Sequence, residues 1–183
     1  MWIQHIIIAL LFFIFTILQN SFLPYFNILG TTPNIVFILF FILIFFDNPS
    51  LSTQTLKRKV WNGEGFLVAI LAGLFLDMFI DSYFGISITS LIIVYFLQKL
   101  IFHFLEKNKE EYFVLNFIIM FSISFILYNL LLYSFSIVFN FEINLGWNLM
   151  VNLIHNLIFA IIGFYFYKFF IKEDDSSNQL KLL

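Results

Sequence analysis

Cysteine is absent from the chain, which excludes disulfides, thiol nucleophiles and thiolate metal sites. Charge is scarce too: Asp, Glu, Lys and Arg make up 11% of the 183 residues, against about a quarter in soluble domains. No separate soluble domain fits such a composition. The N-terminal MWIQHIIIALLFFIFTIL has no Lys or Arg before its apolar run and no small-residue cleavage site after it. It reads as a retained first span and not as a signal peptide. The glycine pair in WNGEGFL lacks the Lys-Ser/Thr of a phosphate-cradling loop. His5, His103 and His155 fall on different runs, so no metal ligands converge. No Ser-His-Asp constellation can be drawn. The chain therefore reads as non-catalytic, without cofactor or metal and without a nucleic-acid partner.

What is abundant is apolar surface, at 62% of residues with a mean hydropathy of +0.99. A hydrocarbon core of about 30 Å needs about 20 apolar residues per helix. Apolar runs at Trp2 to Leu18, Pro33 to Phe46, Gly65 to Ile80, Phe84 to Leu105, Tyr112 to Phe139 and Trp147 to Ile171 supply six candidate spans. The second and third are short for that thickness, and five spans is the alternative. The 29 Phe exceed what lipid-facing helices require, since Leu would serve equally, and read as compositional bias.

The nine basic residues separate cleanly along the chain. Lys57, Arg58 and Lys59 lie between the second and third runs, Lys99, Lys107 and Lys109 around the fourth-to-fifth junction, and Lys168, Lys172 and Lys181 at the end. The connections FLPYFNILGTTPN, DSYFG and NFEINLGWN carry none. Positively charged loops stay in the cytoplasm, so alternation predicts six spans with both termini inside. The expected architecture is an all-α polytopic helix bundle over residues 1–172, followed by a polar, mobile cytoplasmic tail over 173–183.

Ionisable groups at membrane depth cost about 2.5 to 3.5 kcal/mol on insertion scales, which singles out Asp77. Gly73, Asp77 and Asp81 follow one another by helical turns in AGLFLDMFIDSYFG and share a face. Asp81 belongs at the outer interface. Two roles are open for Asp77. It can fix the bundle, with Gly73 admitting a neighbouring helix that hydrogen-bonds the carboxylate, or it can serve a ligand site, proton relay or partner contact. With no buried Lys or Arg as counter-ion, the carboxyl is either protonated or hydrogen-bonded by amides. Candidate amides are Asn148, Asn152 and Asn156, spaced i, i+4, i+8 on the last run with His155 beside them. A pairing of Asp77 with His155 is a further option.

The order of these features resembles the rod shape-determining protein MreD family. The first run ends in LQNSFLPYF, a Gly-Thr-Thr-Pro-Asn segment opens the second, and GEGFLVAILAGLFLDMF is followed by YFGIS. Pro33, Asn34, Gly73, Asp77 and Gly85 stand at positions of the family's pattern, whereas the polar loop DNPSLSTQTLKRKVWNGEG is longer than is usual there. The resemblance implies a bacterial cytoplasmic (inner) membrane scaffold or regulator of lateral cell-wall elongation and rod shape. Its implied partners are membrane lipids, MreC, MreB and the glycan polymerase and transpeptidase of elongation. The competing reading is a substrate-binding subunit of an energy-coupling-factor vitamin transporter. Such subunits carry an Ala-x-x-x-Ala motif on the first helix, but here Ala9 is followed at the second position by Phe13.

Overall fold

The computed structural model describes residues 2–47, 65–79, 83–105, 113–140 and 148–179. The protein is all-helical, and the described residues form six α-helices: α1 (Trp2–Ser21), α2 (Ile35–Asp47), α3 (Gly65–Asp77), α4 (Ile86–Leu105), α5 (Phe113–Phe139) and α6 (Asn148–Gln179). Each lies on one of the apolar runs. Among the described residues, three helices are long and apolar enough to cross a membrane, within Ile3–Ser21, Phe113–Phe139 and Leu149–Phe169; shorter apolar helices cover Ile35–Phe46, Gly65–Asp77 and Ile86–Phe102. α2 and α3 have 13 residues each, roughly 20 Å at about 1.5 Å per residue. α6 runs past the end of its apolar run to Gln179.

The position of α2 accounts for its sequence. Val36, Phe37, Ile38 and Phe40 through Phe45 are all buried, so α2 is enclosed by protein, one of the two settings that suit an all-round apolar helix. α1 is peripheral. It buries one stripe, Ile8, Phe12 and Thr16, and exposes Ile3, Ile6, Leu10, Phe13, Ile14 and Ile17. The i, i+4, i+8 spacing of the stripe gives a single contact face.

The phenylalanines of α2 and α5 do more than compositional bias requires. Phe37, Phe41 and Phe45 meet Phe125, Phe121 and Phe117 in reverse order, with ring centroids 5.5, 5.2 and 5.0 Å apart and interplanar angles of 79°, 88° and 87°. The reversed order makes the two helices antiparallel. Edge-to-face rings are worth about 0.5–1.5 kcal/mol per pair beyond area burial. Leu at these positions would fill space but could not make that contact.

α3 and α4 come close at Gly73, where a Cβ would lie 2.4 Å from the Cα and 2.7 Å from the backbone N of Ile88. Gly163 of α6 faces α2 across a side chain instead: a Cβ there would lie 2.8 Å from Cδ1 of Ile42. These approaches bring the C-terminal ends of α1 and α3 and the N-terminal ends of α2, α4 and α6 to one end of the bundle.

Candidate functional site

At that end, the N-terminus of α4 begins without a capping side chain of its own. Gly85 occupies the capping position with φ +103°, a conformation L-residues rarely adopt, and its carbonyl accepts the first helical bond from the Thr89 N–H at 3.0 Å. The free amides of a helix start need acceptors. Asp77, at the end of α3, supplies them: Oδ2 accepts from the N–H of Gly85 at 2.8 Å and of Ile88 at 3.3 Å, and Oδ1 from the N–H of Ser87 at 2.9 Å. The carboxylate is 5% exposed and sits where the helix dipole favours negative charge. Gly73, one turn earlier, permits the close approach that brings Asp77 within reach.

A second capping arrangement starts α2. Asn34 is its N-cap, with Oδ1 accepting from the Phe37 N–H at 2.9 Å. The Val36 N–H donates to Oε1 of Gln19 on α1 at 3.1 Å. The Asn34 N–H itself donates to Oδ1 of Asn156 on α6 at 2.6 Å, and Nδ2 of Asn156 donates to Oδ1 and the carbonyl oxygen of Asn152 at 2.6 and 2.8 Å. Pro33, just upstream, is buried. Three helices thus complete one helix start.

Tyr128 of α5 joins the two arrangements. It is 2% exposed, and its hydroxyl lies beside the side chains of Ser87 and Asn34. The polar groups therefore form one continuous set from Asp77 through Ser87, Tyr128 and Asn34 to Asn156 and Asn152. α3, α4, α5 and α6 each supply a member, α1 supplies a capping oxygen, and Asn34 stands at the start of α2.

Two expectations change. The amides that bind Asp77 belong to the backbone of the α3–α4 connection and α4, not to the asparagines of α6; Asn152 and Asn156 serve Asn34. His155 does not pair with Asp77, whose oxygens face those backbone donors: the imidazole is 5% exposed, lies 5.5 Å from the Phe159 ring between centroids, and has no partner for Nδ1 among the described residues. Asp81, the Asn148 side chain and the Lys57–Lys59 cluster lie outside the described residues. Gln19, Ser87 and Tyr128 belong to the site although no argument from side-chain type had singled them out. Their common signal is position: Gln19 closes the first apolar run, Ser87 follows a helix-starting Gly by two, and Tyr128 interrupts an apolar stretch.

Chemically, the set positions helices. Both Asp77 oxygens are engaged by backbone donors. Comparison with protein-family models, curated proteins and solved structures finds no match for this chain.

Proposed function

We propose that this chain is a non-catalytic scaffold or regulator of lateral cell-wall elongation and rod shape in a bacterial cytoplasmic membrane, of the MreD type. It crosses the bilayer six times with both ends inside and acts by helix-to-helix contact with MreC and the elongation machinery, with MreB and the elongation polymerase and transpeptidase as further partners. The supporting observation is that Pro33, Asn34, Gly73, Asp77 and Gly85, the residues that carry the resemblance, gather at one end of the bundle. There the polar groups of Asn34, Asp77 and Gly85 are used to start and join helices. A buried carboxylate used as a backbone cap suits a rigid contact surface better than a proton-transfer site.

Affinity co-purification of the chain from its native membranes tests the proposal. MreC and the wall-synthesis enzymes should be retained; an ATPase pair with a coupling subunit, or a bound vitamin, would replace this reading with transport. The orientation has its own test because the chain is free of cysteine. Thr32→Cys should react with a membrane-impermeant thiol reagent on intact spheroplasts, and Asp174→Cys only after permeabilisation. The reverse pattern would invert the topology.

A further inference from the structure

The connection between α1 and α2 is held firmly yet presents its apolar side chains outward. Residues 22–34 carry no charged group. Leu23, Thr31 and Pro33 are buried and fix the segment to the bundle. Leu23–Phe26 forms a 3₁₀ turn started by Pro24, and Ile28 and Thr31 exchange backbone hydrogen bonds at 3.1 and 3.0 Å across a two-residue turn. A further bond from the Thr31 hydroxyl to the Ile28 carbonyl at 2.8 Å tightens it. Against this fixed base, Tyr25 is 86% exposed and Leu29 74%, with Phe26 and Ile28 about half exposed.

Leu29 is the informative residue. It has φ +53° and is followed by Gly30 at +82°, so both central residues of the turn are left-handed, as such hairpin turns require. Gly, Asn or Asp would hold that conformation without strain. A branched apolar side chain here is unfavourable to the backbone, and its exposure means that no burial within the chain offsets the cost. The outward surface continues directly from the exposed apolar face of α1, through Ile14, Ile17, Leu18 and Phe22. The lack of charge leaves nothing for headgroup ions to recognise, whereas an amphipathic Tyr ring favours the boundary between headgroups and acyl chains.

We infer that this connection is a membrane-interface anchor: Tyr25, Phe26, Ile28 and Leu29 are seated at the headgroup–acyl boundary of the leaflet at this end of the bundle. The ligand is the apolar margin of the lipid itself, without preference for anionic headgroups. The anchor holds the α2 start, with its Asn34 cap, at a fixed depth.

The cysteine-free chain allows a direct test on the full-length protein reconstituted in phosphatidylcholine vesicles, with and without phosphatidylglycerol. A nitroxide is attached to Leu29→Cys, Tyr25→Cys or, as the lipid-facing reference, Ile14→Cys, and its collisions with oxygen and with a water-soluble nickel chelate are compared by electron paramagnetic resonance. Labels at 29 and 25 should favour oxygen several-fold over the ratio of free label in buffer, fall below the label at 14, and be unchanged by phosphatidylglycerol. Ratios like those of free label would place the connection in water and overturn the anchor. Shielding from both reagents would overturn it in favour of a protein cover, and a depth that shifts with phosphatidylglycerol would overturn its apolar character.

Discussion

Asp77 caps the helix that Gly85 begins: its carboxylate oxygens accept from three backbone amides of the α3–α4 connection and α4, at a capping position whose own residue has no side chain. The two residues make one device, in which the left-handed glycine turns the chain and the carboxylate eight positions earlier receives the amides that the turn exposes.

Substitution at Asp77 should therefore grade with acceptor number. Asp77→Asn keeps one oxygen but turns an NH₂ toward backbone donors, and should cost roughly 2 kcal/mol, the scale of a hydrogen bond to a charged group. Asp77→Leu removes all three bonds and should prevent recovery of a monodisperse protein. Thermal unfolding in detergent, followed by size-exclusion chromatography, reads the order Asp, Asn, Leu; an Asn variant as stable as the parent would contradict the capping role.

Gly73→Ala and Gly85→Ala should separate two kinds of glycine requirement. At Gly73 the new methyl meets the Ile88 backbone, which cannot yield without parting α3 from α4, and overpacking of this kind costs about 1–3 kcal/mol. At Gly85 nothing lies within 4 Å, so the cost is the left-handed backbone alone, about 1–2 kcal/mol. Because parting the helices also breaks the Asp77 bonds, Gly73→Ala combined with Asp77→Asn should lose less than the sum of the two. Strict additivity in a double-mutant cycle would show that the glycine and the carboxylate act separately.

Asn156 and Asn152 should differ in consequence although they are neighbours on one stripe. Asn156→Ala leaves the Asn34 N–H without its acceptor and should cost about 1–3 kcal/mol. Asn152→Ala removes only one of two acceptors for the Asn156 amide and should cost about 1 kcal/mol or less. Equal losses in the same unfolding assay would place the important contact elsewhere.

Deep in the bundle, Nε2 of Gln98 donates to the Ser124 hydroxyl at 2.7 Å, while Oε1 is buried without a partner among the described residues. Replacing both members of such a pair by apolar groups removes the orphan along with the bond and is near neutral or stabilising. Gln98→Met with Ser124→Ala should thus keep or raise the unfolding temperature. A marked fall would show that the pair contributes more than its geometry indicates.

Helix positions were legible in the sequence because polar punctuation interrupts the apolar runs, and the ends moved for local reasons. The first helix passes Leu18 to Ser21 because Asn20 returns its Nδ2 to the Thr16 carbonyl; the fourth starts at Ile86 instead of Phe84 because Gly85 is left-handed. The importance of Asp77 was legible from the cost of a carboxylate in an apolar run. Its partners were not, since every residue but proline carries a backbone N–H and side-chain identity does not say which ones a fold leaves free. The Asn stripe showed the opposite limit: spacing placed Asn152 and Asn156 on one face but could not say that the face meets Asn34. The abundance of Phe hid the ladder between α2 and α5, because composition counts rings without placing them.

The bond from the Asn34 N–H to Asn156 spans 122 residues. A ribosome adding about 5–20 residues per second needs roughly 6–25 s to cover that distance. During that interval the second helix exists with its start unfinished, and no shorter nascent chain can complete it. Tying the start of α2 to Asn156 makes synthesis of α6 a condition for that earlier helix start to lock, so a product cut short before Asn156 carries a defect more than a hundred residues upstream.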